Sequence, residues 1–181
     1  MMKTKPMGFV ALVSISIIIL PMTAVVGTLG VIASIPNQAT AQEPGVQEFD
    51  AILTSAAEVP PVQSSSSGFA ELGVEEGSDN MEYGIIAINI DKVTQAHIHQ
   101  GSSSEAGPVV ATLFNASTPT GPITEELTAG SITSANLEGP LQGKQLSDLI
   151  ALMQNGQAYV NVHTEQNPDG EIRGTIEVDT D

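Results

Sequence analysis

The chain predicts an all-β fold. The expected form is an antiparallel Greek-key β-sandwich or flattened barrel of about eight strands, with one short helix near residues 145–155. Three observations carry this. Short runs rich in β-branched residues recur from Phe49 to Val178, bounded by Gly, Pro, Ser, Asn or Asp. Within these runs apolar and polar residues alternate, which suits sheets wetted on one side. A single segment, late in the chain, follows helical spacing instead.

Taken in order, Phe49–Leu53 alternates as a first strand. Pro60 and Pro61 then stiffen an extended connection that cannot lie inside a sheet. Ser64–Gly68 reads as a turn into a second strand, Phe69–Val74. A polar turn, Glu75–Asn80, leads to Met81–Ile90, whose β-branched content suits a central strand. Asp91 and Lys92 turn the chain into Val93–His99. After a Ser/Gly-rich loop come Val109–Phe114 and Ile123–Thr128. Leu146, Leu149, Ile150 and Met153 share one helical face, and Gly156 supplies the stop. Ala158–Thr164 and Glu171–Val178 form a last hairpin about the turn at Pro168–Gly170.

Ahead of this domain lies a leader. Lys3 and Lys5 precede an apolar stretch, and Ala39-Thr40-Ala41 has the form of a cleavage site. Residues 1–41 are therefore expected to be a signal peptide or N-terminal membrane anchor, 42–46 a linker and 47–181 the exported domain. The apolar run from Met7 to Ile35 is long enough to span a bilayer. Either way the domain lies outside the cytoplasm, secreted or anchored at the outer membrane face, and touches membrane only through its N-terminal segment.

Charge and composition exclude several functions. All 21 acidic residues follow position 41, against three basic ones, a net of −18 for that part. Such a surface repels nucleic acid and attracts cations. With no Trp and few aromatics, a stacking platform for bases or sugars is not expected. With no cysteine, neither disulfides nor thiolate metal sites can form. Asn115–Pro122 is expected to be a loop, and within it Asn115-Ala116-Ser117 is a glycosylation sequon.

The three histidines carry the sharpest signal. His97 and His99 stand two apart in a strand and so project to one side, opposite Ala96 and Ile98. His163 occupies a similar strand, between Val162 and Thr164. Three neutral imidazoles can hold copper or zinc, and affinity favours Cu(II). Glu165, Asp169 and Glu171 are candidate neighbours or fourth ligands, and Arg173 a candidate salt-bridge partner of Glu171 or Asp169. The alternative is a structural one: outward histidines that hydrogen-bond loops, with His163 and Asn161 pinning the Pro168 turn.

Taken together, Ser55–Val62 with Gly68-Phe69-Ala70, Ala96-His97-Ile98-His99 with Gly107–Val110, Leu146–Met153, Ala158–Thr164, and Asn167–Gly174 resemble the CHRD domain of chordin-type and microbial secreted proteins. The resemblance runs from about Gln47 to Val178. It implies an exported β-sandwich module and no particular reaction. Locally, His-x-His followed by a later Val-His is also similar to the copper side of Cu/Zn superoxide dismutases. That similarity implies His97, His99 and His163 as copper ligands and Arg173 as a guide for an anionic substrate. The chain has no histidine left for a bridging ligand or a zinc site, so a complete dinuclear centre is excluded. Two functions follow as expectations: a non-enzymatic exported module that binds an extracellular protein or a metal ion, or a mononuclear copper protein with a carrier or dismutase-like redox role.

Overall fold

The computed structural model describes residues 45–102 and 104–180. The expected leader and the expected cleavage position lie outside the described residues. Among those residues no helix is long and apolar enough to cross a membrane.

Among the described residues, alternating runs build nine strands: β1 (Val46–Thr54), β2 (Ser67–Glu75), β3 (Met81–Ile90), β4 (Val93–Gln100), β5 (Val109–Asn115), β6 (Ile123–Ile132), β7 (Ala158–Thr164), β8 (Ile172–Thr175) and β9 (Glu177–Val178). They pair antiparallel in the order β5-β4-β7-β8-β1-β2-β3-β6, with β9 on β1. Consecutive β3 and β4 are not neighbours, so the chain crosses the structure between them. The result is a single antiparallel sheet nearly closed into a barrel, the flattened-barrel form of the expected fold.

Closure is completed by other means at the β5 edge. Tyr83 on β3 donates its hydroxyl to the Leu113 carbonyl of β5 at 2.7 Å. Beyond β6, Leu137 bridges Ala111, and the Glu138 N–H donates to the Val110 carbonyl at 2.8 Å. An edge that would otherwise offer unpaired groups to other chains is thereby covered.

The inward residues of this sheet form one core. Phe49, Leu53, Met81, Ile85, Ile98 and Ile172 are fully buried within it. The helix α1 (Leu146–Gln154) lays Leu146, Leu149 and Met153 on the same core, and Ile150 is half-buried. It ends at Gly156, whose φ of 64° is one that glycine adopts without strain.

Two local expectations are corrected. The single last strand is two: Ile176 turns its side chain into the core and its N–H bonds the Ala158 carbonyl, so β8 stays on β7 while β9 passes to β1. Asn115 is not in a loop but is the exposed final residue of β5, paired with Gln95.

Candidate metal centre

The site is built on β4 and β7, which are neighbours in the sheet. Ala96 and Ile98 point to the core with no exposed surface, so pleating turns His97 and His99 to the opposite face. On β7, Val160 and Val162 are likewise core, and Tyr159, Asn161 and His163 face outward. In the register His97 stands opposite Asn161, His99 opposite Tyr159, and Gln95 opposite His163. Across the other edge of β4, the register with β5 shifts between Ala96 and His97 and again between Ile98 and His99. Such bulges bend a strand and re-aim its side chains.

The outward face is nevertheless not a wet one. His97, His99 and His163 are 8%, 8% and 7% exposed. Sequence reasoning places them at a surface, but loops cover them. The His99 Nδ1–H donates to the Gly107 carbonyl at 2.8 Å, and the His163 Nδ1–H to the Pro168 carbonyl at 3.0 Å. Because a carbonyl only accepts, these bonds put the proton on Nδ1 and leave each Nε2 with its lone pair. The pinning of the Pro168 turn by His163 is thus present, and Asn161 Nδ2 reaches the Asp169 carbonyl at 3.5 Å.

The rings converge. Centroids lie 5.7 Å apart for His97 and His99, 5.1 Å for His97 and His163, and 5.8 Å for His99 and His163. One ring nitrogen from each lies within 4.8 Å of the others. Three buried ring nitrogens find no hydrogen-bond partner, one per histidine: His97 Nδ1, His99 Nε2 and His163 Nε2. An unsatisfied buried polar group costs about 1–3 kcal/mol, so three together call for a common partner. A metal about 2 Å from each nitrogen would hold them about 3–4 Å apart, a contraction of at most about 2 Å from the observed limit of 4.8 Å. The donor set and its protonation therefore fit a metal ion.

Electrostatics agree with neutral ligands. Burial, then the charges of His163 and His99, lower the His97 pKa to about 4. Burial also lowers those of His99 and His163, against the opposing pull of their carbonyl partners. Metal competes with protons for these nitrogens, so a low pKa favours the ligating form.

The other expected neighbours are distributed differently. Glu165 is half-exposed and pairs with Lys92 at 3.0 Å. The Glu171 carboxylate accepts from Ser64, Ser66, Thr164 and Asn167. Burial would raise its pKa, but those bonds together hold it below the usual carboxylate range. Among the described residues the metal-capable cluster holds no carboxylate. Asp169 lies close enough for its charge to favour a protonated His163. Arg173 is buried and donates to two loop carbonyls, from Nε to Ala57 at 2.7 Å and from Nη1 to Glu105 at 3.0 Å.

Three participants escape sequence reasoning. Tyr159 stacks on His99 with centroids 5.0 Å apart and planes 9° from parallel, and Arg173 lies 4.6 Å over the same ring. Glu58 is buried near Arg173 and Asn161, and burial raises its pKa to about 7 despite both. Gly107 lies where an added Cβ would run into the Gln100 carbonyl, so only glycine lets this loop reach His99. The strand period shows that position 159 shares a face with 163; it does not show what lies above it.

Comparison with known proteins gives a family and no nearer relative. No curated protein and no solved structure searched matches the chain. The model of the CHRD domain matches residues 49–176, well over half of the 181. That span contains all three histidines, most of β1 and the whole of β2 to β8, so the chain belongs to the CHRD domain family.

Proposed function

We propose that this chain is an exported CHRD module that holds one copper ion through His97 Nδ1, His99 Nε2 and His163 Nε2, serving as a binding or carrier protein rather than an enzyme. The observation that carries this is the coincidence of two sets: the three buried nitrogens that lack partners belong to the three rings that converge. Copper is preferred to zinc because three imidazoles suit both and Cu(II) binds more tightly to a given site. Bound copper would supply a Lewis acid and a one-electron couple. The chain's own part is to keep three nitrogens deprotonated and to keep bulk water away from them. Ligands at most 8% exposed favour retention over turnover with a dissolved substrate. The acidic surface supports a cation-binding role, since it raises the local concentration of cations.

A second reading has its own observation. His99 and His163 each hold a loop carbonyl, which is what a purely structural histidine would do in a metal-free surface module. Titration of the purified protein with Cu(II) against a competing chelator, followed by native mass spectrometry, separates the two. One tightly held equivalent, lost in His97→Ala and in His163→Ala, is expected. Uptake that never saturates, or that persists unchanged in His163→Ala, contradicts the copper reading and leaves the structural one.

A further inference from the structure

One fastening of the cover over His99 joins two loops. Arg173 reaches two loops that are far apart in sequence: its Nε bonds the Ala57 carbonyl after β1, and its Nη1 the Glu105 carbonyl between β4 and β5. Its guanidinium also lies 4.6 Å over the Tyr159 ring. The Tyr159 hydroxyl accepts from the Gly107 N–H at 3.0 Å, and the Gly107 carbonyl accepts from His99 Nδ1–H at 2.8 Å. One planar cation and one phenol thus tie both loops to the ring beneath them. The fork geometry matters: a guanidinium can serve two carbonyls in different directions and lie on an aromatic face at once, and a lysine ammonium cannot do all three.

We propose that Arg173 and Tyr159 latch these loops over the histidine cluster, so that release of the loops sets the rate at which metal enters and leaves. This rests on the copper reading for its metal but not for its mechanics. The unpartnered nitrogens are buried, so an arriving ion reaches them only when part of their cover moves. Opening this part of the cover breaks the two carbonyl bonds of the guanidinium and the Gly107–Tyr159 bond and uncovers His99, while the Pro168 turn stays on His163. Arg173 and Tyr159 are positioning residues here, since neither is needed as a ligand.

The test uses wild type, Arg173→Lys and Tyr159→Phe, with folding checked by circular dichroism. Tyr159→Phe keeps the ring, its stack on His99 and the arginine, and removes only the acceptor of the Gly107 N–H. Two readouts are taken. In metal-free protein, the rate of histidine acylation by diethyl pyrocarbonate reports access to the ring nitrogens. In copper-loaded protein, the rate of Cu(II) loss to excess EDTA reports release. Breaking a charge-assisted bond of about 1.5–3 kcal/mol should speed both by about tenfold or more in Arg173→Lys. Tyr159→Phe should speed both by a smaller factor, with the copper stoichiometry unchanged in each. Folded variants that acylate and release copper at wild-type rates overturn the latch. If wild type takes up no copper, the metal reading fails, and the acylation rates alone decide whether the latch stands. If Arg173→Lys does not fold, Tyr159→Phe decides it.

Discussion

At the scale of single residues, pH is the sharpest probe. Glu58 has its pKa raised from 4.5 to about 7 by burial, so between those values the folded chain keeps a proton that the unfolded chain has lost. Its contribution to stability is complete below about pH 4.5 and disappears as pH rises toward 7. His97 has the opposite sign. Its pKa falls from 6.5 to about 4, so the unfolded chain takes up a proton that the folded chain refuses. That contribution is present above 6.5 and is lost as pH falls toward 4, and His99 and His163 shift in the same direction. In metal-free protein, Glu58→Gln should therefore raise Tm relative to wild type increasingly from pH 4.5 to 7. A Tm difference that stays constant across that range would contradict the assignment. His-x-His was legible because the strand period alone puts both rings on one side. Glu58 was not, because its neighbours Asn161 and Arg173 are more than a hundred positions away in the chain and meet it only through the fold.

At the scale of elements, the helix and the site loops are separable. Leu149 on α1 is fully buried in the core, away from the histidine face of β4 and β7. Leu149→Ala should cost about 2–5 kcal/mol by chemical denaturation, while the folded fraction keeps its copper stoichiometry. A loss of copper in proportion to stability would show the site to depend on the whole core. The Pro168 turn behaves differently. Gly170 has a φ of 135°, and an added Cβ would sit 2.5 Å from the Asn161 amide and 2.7 Å from Glu58 Oε1. Gly170→Ala should then destabilise by more than about 1 kcal/mol and weaken copper retention by displacing the carbonyl that orients His163. Unchanged copper affinity in a folded Gly170→Ala protein would show that His163 needs no such orientation. The spacing of Leu146, Leu149 and Met153 made the helix legible. The split of the last strand was not, since Glu171–Val178 alternates throughout and only the packing of Ile176 divides it.

At the scale of the whole molecule, the barrel is a scaffold that brings β4 and β7 side by side, and its charge sets the medium it suits. Near-regular strand spacing predicted the architecture, whereas the order of strands in the sheet depends on long-range pairing that no local pattern encodes. With a net charge of −16, self-repulsion opposes the compact state. Raising NaCl from about 0.01 to 0.5 M should raise Tm by several degrees as the charges are screened. No change, or a fall, would mean that the acidic residues are locally compensated. If the leader is processed as expected, intact-mass analysis of the exported protein should give an N-terminus at Gln42. Copper ligation by the three histidines is tested most directly by electron paramagnetic resonance of the protein with one equivalent of Cu(II) per chain. A single species with splitting from three imidazole nitrogens is expected, reduced to two in His163→Ala. A spectrum of weakly held, oxygen-ligated copper that is the same in both proteins would contradict it.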